Sequence, residues 1–272
     1  MDFLKKITLG RYIDTGSIVH RLDPRTKLIT LIITSLIIFY GTAPDARGIF
    51  TLAALFTVSF LIIPLAGIRI RYVVKCILKF YWFFVLILIF HTFFTPGRVI
   101  QPLSQYGIII TYDGLNNALV TIAKLYTVIQ CTYIFILTTS PLEMTNGIKK
   151  LFGFLKVFRV PVDDLAIMIT LAIKFIPTFF KEIQKITAAQ KARGIDFKEG
   201  SIRRRIKSIS LIVTPVFYNT FKRAEELNTA MISRGYRAGR KRGSYKKITL
   251  LPIDYIILIT ITALFVANIV MG

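Results

Sequence analysis

Apolar residues in this chain come in five long runs, at about 26–41, 49–66, 74–95, 115–139 and 248–271. An α-helix rises about 1.5 Å per residue, so about 20 such residues cross a hydrocarbon layer about 30 Å thick. Over 272 residues, 54% are hydrophobic and the mean hydropathy is +0.62, well beyond what a soluble domain needs to fill one core. Most of that apolar surface must therefore face lipid. The expected fold class is all-α: a polytopic membrane protein with about five transmembrane helices. Residues 1–139 supply an amphipathic N-terminal segment and four spans, 140–247 a region of long amphipathic helices, and 248–272 a last span. The first run is short, so Lys27 is expected to snorkel toward the headgroups. The third is crowded with aromatics (Phe80, Tyr81, Trp82, Phe83, Phe84, Phe90, Phe93, Phe94). The fourth, less oily, holds Lys124, Gln130 and several threonines and is expected to face protein.

Charge sets the expected orientation. The formal net charge is +22, from 36 Lys+Arg against 14 Asp+Glu, and short connections rich in Lys and Arg stay on the cytoplasmic side. Lys5, Lys6, Arg11, Arg21, Arg25 and Lys27 precede or open the first span, and Arg69, Arg71, Lys75 and Lys79 lie between or beside the second and third. The alternate connections hold only Arg47 and Arg98. The N-terminus and residues 140–247 are thus expected inside an inner, cytoplasmic membrane, and the C-terminus outside. Met1 to Ser17 contains no apolar core of a cleavable signal, so the first span is expected to direct insertion. Cys76 and Cys131 fit no metal or disulfide pattern and read as small hydrophobes.

Within 140–247, Ser140-Pro141-Leu142-Glu143 has the form of a helix start: Ser at the N-cap, Pro at the first helical position and Glu completing a capping box. A short amphipathic helix is expected to end near Arg159-Val160-Pro161. Asp163 and Asp164 open a long helix running to Lys191, and Ser201 opens another running to Ile232. Pro177 and Pro215 are expected to kink them. The two long helices form a weak internal repeat. One reads Pro177-Thr178-Phe179-Phe180 and ends Ala192-Arg193-Gly194; the other reads Pro215-Val216-Phe217-Tyr218 and ends Ser233-Arg234-Gly235. A Gly after the last helical turn enters the left-handed conformation and leaves room for a partner. The Arg before it suits the helix dipole, and its planar fork can reach a carboxylate in a partner's groove. Such an ending is common as simple capping; two of them on matched helices point to a shared partner-binding role.

At these residues the chain resembles the transmembrane T-component of energy-coupling factor transporters for vitamins and metals, a family related to the cobalt-transporter membrane subunit. The resemblance takes in the lead-in His20-Arg21-Leu22-Asp23-Pro24-Arg25-Thr26-Lys27-Leu28, the spans, the helical region before the last span and both arginine motifs. Ser233 stands where the family commonly has Ala. By that resemblance, Arg193 and Arg234 would each insert into a groove on one of two ATP-binding-cassette ATPase subunits. The spans and long helices would cradle a separate substrate-binding S-component. ATP would be bound by the partner ATPases, with no cofactor in this chain.

Other candidates read more plainly. Asp23-Pro24 is a helix-start signal, and His20 reads as a hydrogen-bonded residue at the membrane surface rather than a metal or proton site. His91 and Lys124 are intramembrane ionisable groups, functional candidates by default. No Asp or Glu lies at mid-span to pair with them, which favours packing in a polar interface. Arg203-Arg204-Arg205 and the basic run from Arg237 to Lys247 suit contact with anionic lipid, and nucleic acid is not an expected partner. The sequence holds no Gly-Lys-Ser/Thr phosphate loop, no metal-ligand cluster and no set of catalytic residues, so a non-catalytic subunit is expected. Two alternatives stand beside it: a secondary transporter, which calls for acidic residues at mid-membrane, and an intramembrane enzyme, which calls for a nucleophile or metal ligands.

Overall fold

The apolar runs fold as helices, and among the described residues all regular structure is helical. The computed structural model describes residues 15–42, 45–98, 111–158, 160–195, 197, 201–237, 239 and 250–271. Lys5, Lys6, Arg11, Arg159, the side chains of Cys76 and Arg204, most of the basic run 237–247, the expected start of the last span and Gly272 lie outside them. In chain order the helices are α1 (Ile18–Arg21), α2 (Pro24–Tyr40), α3 (Ala46–Leu65), α4 (Ile70–Leu78), α5 (Tyr81–Phe94), α6 (Tyr112–Thr138), α7 (Pro141–Leu151), α8 (Val162–Ala192), α9 (Ile202–Ser233) and α10 (Pro252–Met271). The chain divides into two compact units, one of Gly10–Gly147 with Lys247–Gly272 and one containing Ile148–Lys246.

The first unit is the membrane part. Stretches Arg47–Leu65, Tyr112–Thr138 and Pro252–Val270 of α3, α6 and α10 are each long and apolar enough to cross a membrane alone. The sequence predicts one span over 74–95; the structure breaks it after Leu78, into an amphipathic α4 and an apolar α5. The cause is a change in pattern. Val73 and Ile77, one turn apart, are buried, while Arg71 and Lys75 project outward, so α4 has a protein face and a wet face. Beyond it, α5 is apolar all round. Phe80 N–H closes the corner on the Ile77 carbonyl at 2.8 Å.

Contacts along α6 show that α4 and α5 together make one traverse. Val73 and Ile77 pack with Tyr133, Ile134 and Leu137 near the end of α6, whereas Gly114 at its start is pressed against the His91 carbonyl and Thr92 of α5. A similar comparison orients α10. Asp23 N–H donates to Asp254 Oδ1 at 3.1 Å where α2 and α10 begin, and a Cβ on Gly41 would collide with the Asn268 amide where they end. The two helices therefore run parallel. The end of α6 lies with their starts, since Lys27 Nζ donates to the Thr138 carbonyl at 2.8 Å. Thr15 Oγ1, beside α1, donates to Ala66 O at the end of α3. Five passes thus alternate in direction: α2, α3, α4 with α5, α6 and α10.

At the centre is α6, which packs on α2, α3, α4 and α5. Thr127 and Gln130 are buried in protein as the sequence predicts, while Lys124 is half-buried. Apolar side chains such as Trp82, Phe90 and Phe94 of α5 and Ile256 and Ile259 of α10 are exposed in numbers that belong to lipid contact. Half-buried Cys131 borders an apolar cavity of about 300 Å³ with Leu55, Val58, Ile134 and Ile257.

The second unit contains the 3₁₀ turn Phe152–Phe158, α8 and α9. A single amphipathic helix to about 159 is predicted, but the α-helix stops at Leu151 and tightens to 3₁₀ around Gly153, a weak helix former. Lys149 Nζ lies 2.8 Å from Asp163 Oδ1, fixing this turn against the start of α8. Along their length α8 and α9 pack on each other. Pro177 and Pro215 lie inside continuous helices, where each removes the N–H that would bond the carbonyl four residues earlier, of Ile173 and Leu211.

Candidate functional site: two arginine-glycine helix ends

Both motifs end their helices in the same way. In α8, Gly194 takes φ +82, its N–H bonds Lys191 O at 2.9 Å, and Ile195 N–H bonds Gln190 O at 3.1 Å. In α9, Gly235 takes φ +78, its N–H bonds Ile232 O at 2.9 Å, and Tyr236 N–H bonds Met231 O at 2.9 Å. Each is a full Schellman ending, with an apolar or aromatic residue at the position where such endings place a hydrophobic contact. Ala192, Arg193, Gly194, Ser233, Arg234 and Gly235 are all exposed. Among the described residues nothing lies within 4 Å of where a Cβ would stand on either glycine. Among the described residues the glycines are thus required by backbone conformation and not by crowding, and each stands beside an exposed arginine. Ser233 Oγ turns back to the Ala230 carbonyl at 3.0 Å, so its hydroxyl is absorbed by its own helix and leaves the surface as small as Ala would.

A left-handed conformation costs an L-residue about 1–2 kcal/mol. Gly194→Ala or Gly235→Ala is therefore expected to loosen its helix end without any clash. Amide exchange at Ile195 or Tyr236 should quicken by roughly tenfold, since about 1.4 kcal/mol is tenfold in an equilibrium. An unchanged exchange rate would mean that the ending is not held by its glycine.

The two ends are far apart. Tyr236 Oη donates to Asp164 Oδ1 at 3.3 Å, and Gly239 N–H to Asp164 Oδ2 at 2.9 Å, so the segment that follows the second motif reaches the first turn of α8. Arg193 closes the other end of α8, about 29 residues on, roughly 40 Å along the axis. Two arginines so placed cannot share one groove.

The helices carrying them meet at a polar crossing that sequence reasoning missed. Glu182 of α8 accepts from the Asn219 side-chain amide of α9, and Arg223 Nη2 lies 3.2 Å from Glu182 Oε2. A legible signal existed: aligned on the two arginines, Glu182 and Arg223 are equivalent positions of opposite charge.

His20, Asp23 and Pro24 lie in the membrane unit. Asp23 caps α2, accepting from Arg25 N–H at 2.9 Å with Pro24 at the first helical position. His20 Nδ1 is within 2.7 Å of Ser17 Oγ and 3.1 Å of Thr15 Oγ1, the hydrogen-bonded reading. Lys27 departs from expectation. Its ammonium turns inward to the carbonyls of Thr138 and His20, at 2.8 and 3.3 Å, because the C-terminal end of α6 offers acceptors and a negative dipole closer than the headgroups. His91 Nδ1 pairs with Thr95 Oγ1 at 3.4 Å, and Lys124 is half-buried in α6. Among the described residues no group of three or more His, Cys, Asp or Glu side chains could hold a metal ion.

The profile of the CbiQ family, described as cobalt transport protein, matches residues 15–245, which takes in the lead-in, four passes and both arginine motifs. The chain belongs to this family. It is also similar to proteins named energy-coupling factor transporter transmembrane protein EcfT. It is 37% identical to that of Thermosediminibacter oceani over 92% of both chains. The Streptococcus thermophilus protein is 34% identical over 96% of this chain and 97% of its own, and the Bacillus subtilis protein 33% identical over 96% of both. The family and these near full-length relatives make the chain a transmembrane component of the energy-coupling factor transporter class, a multi-pass membrane protein.

Proposed function

We propose that the chain is the energy-coupling T-component of an ATP-driven importer, transmitting hydrolysis by two ABC-type ATPase subunits to a membrane-embedded S-component that binds a vitamin or metal ion. The observation that carries this is the pair of matched Schellman endings of α8 and α9, each presenting an exposed arginine beside a glycine that no described residue crowds. Arg193 and Arg234 each enter a groove on one ATPase, with Ala192, Gly194, Ser233 and Gly235 allowing the close approach. ATP belongs to the partners, and this chain, holding no cofactor, is not itself an enzyme. Exposed apolar residues of the second unit, among them Met168, Phe217 and Phe221, suit an S-component or lipid, and the basic segments suit anionic headgroups. The N-terminus and residues 140–247 face the cytoplasm and the C-terminus faces outside, following the Lys and Arg asymmetry.

Affinity purification of the tagged chain from its own cells is expected to bring down two ATPase subunits and a small membrane protein, with MgATP hydrolysis in the complex and none in the chain alone. Recovery of the chain alone, or hydrolysis by it, overturns the reading. For orientation, with Cys76 and Cys131 replaced by Ala, an impermeant thiol reagent added outside should label Gly272→Cys and leave Ser201→Cys unmodified; the reverse pattern inverts the topology.

A further inference from the structure

Aligned on their arginine-glycine ends, α8 and α9 are related by a constant shift: Gly194 falls on Gly235, Arg193 on Arg234 and Glu182 on Arg223. Partial burial follows the same shift, Glu182, Ile186 and Gln190 answering to Arg223, Leu227 and Met231. Equivalent positions of two like elements meet only on the approximate two-fold axis that relates them, as in an isologous contact. The residues meeting there are Glu182 and Arg223, 3.2 Å apart, with the Asn219 amide on the other carboxylate oxygen. Two like charges at this position would repel; the repeat carries opposite ones. The Glu182 side chain is only 11% exposed against 41% for Arg223, so the carboxylate, largely out of water, depends on both partners. Apolar ridges alone tolerate sliding by a turn. A carboxylate that takes a hydrogen bond from Asn219 on one oxygen and an ion pair with Arg223 at the other favours a single register. From this point each motif arginine is eleven residues away, about three turns or 16 Å.

We infer that Glu182, Arg223 and Asn219 form a clasp at the crossing of α8 and α9 that holds the two arginine-tipped arms at equal length and in fixed register, so that displacement of one tip reaches the other. The clasp residues are positioning residues, and their role in transport rests on the coupling function proposed above. Three groups divide the work: the arginines make the contacts with partners, the glycines shape the tips, and the clasp makes one lever of two helices. Without it, each ATPase would move its own arm, and the arms could answer independently.

The test uses the full-length chain with Cys76 and Cys131 replaced by Ala and spin labels at Ala189→Cys and Ala230→Cys, equivalent exposed positions one turn before the arginines. Electron–electron distance measurements on the purified wild-type chain should give a single narrow peak. Glu182→Arg and Arg223→Glu should each lose it to a broad distribution, and the exchange carrying both substitutions should recover it. Glu182→Gln, which alters size least, should broaden the distribution with helix content and thermal midpoint unchanged. In the assembled complex trapped with MgATP and vanadate, the peak should stay single in the wild type and in the exchange and split in the two charge variants. Narrow distributions in the single variants, or an exchange that fails to recover the peak, would overturn the clasp. Failure of ATPase subunits to co-purify with the wild type would instead sink the coupling function, while the distances in the isolated chain would still decide the clasp.

Discussion

Replacing both Arg193 and Arg234 with Ala is expected to abolish ATP-driven uptake while leaving membrane insertion intact. Each arginine is exposed at the end of a helix of more than 30 residues, so truncating it removes no internal support; the Schellman bonds are made by backbone groups that Ala retains. What is lost is the contact with a partner. A charge-assisted hydrogen bond contributes about 1.5–3 kcal/mol, and a carboxylate left unpaired in a groove adds to the loss. One substitution should therefore weaken docking at its own end by roughly tenfold or more. Because the two tips lie eleven residues to either side of the helix crossing, up to roughly 33 Å apart, they engage separate surfaces, and the losses should be nearly additive. Single variants should keep the complex together through the surviving tip and lose transport more than assembly. Pull-downs and uptake by cells expressing the two single variants and the double variant decide it. Wild-type uptake in the double variant would mean that the arginines are ordinary helix ends.

The sequence was most legible where one local cause acts alone. Apolar length placed α3, α6 and α10 within a few residues of their observed bounds, and the Ser140–Glu143 capping box forms reciprocally, Glu143 N–H to Ser140 Oγ at 3.2 Å and Ser140 N–H to Glu143 Oε2 at 3.4 Å. It was less legible where two tendencies compete. Across 70–94 hydrophobicity is continuous, yet the basic residues of α4 impose a wet face that α5 lacks, and the break lies at the change of pattern. Lys27 differs from expectation for a related reason: snorkelling assumes that water or headgroups are the nearest acceptors, whereas the ends of α1 and α6 supply carbonyls. The two arginine motifs were visible as a repeat, but the Glu182–Arg223 crossing needed the repeat alignment carried eleven residues upstream. Most hidden was the pairing of the first membrane helix with the last. Asp23 reads as a local cap, and Asp254 carries no signal of its own in the sequence; nothing within either segment announces that they meet across 231 residues of chain.

That meeting has a large expected effect on stability. Asp254 is wholly buried, and its two oxygens accept from Asp23 N–H at 3.1 Å and Leu251 N–H at 2.7 Å, one bond joining α10 to the lead-in and one capping α10 itself. Lys27 lies in the combined field of Glu143, Asp254 and Asp23, so the same carboxylate balances a cation that is itself turned inward. Asp254→Ala would leave two backbone donors without acceptors where water does not reach, at about 1–3 kcal/mol each, and would open a small void. A net loss of about 3 kcal/mol corresponds to a fall in apparent thermal midpoint of about 6–12 °C for a chain of this size. Asp254→Asn keeps the shape and one carbonyl acceptor but brings two amide donors into the place of the second, so it should fall between wild type and Ala. The parallel pairing of α2 and α10 gives the loss a specific form. With the bond between their starts removed, their register depends on helix packing and the Gly41–Asn268 contact at the far end, and a disulfide-scanning pair at that end should still form while one near Asp23 and Asp254 forms less completely. Unfolding of the purified variants in detergent, followed by the loss of the monodisperse peak on heating, measures the midpoint. A midpoint for Asp254→Ala equal to that of wild type would show that water or another group satisfies Asp23 and Leu251, and that the first and last membrane helices are held together by packing instead.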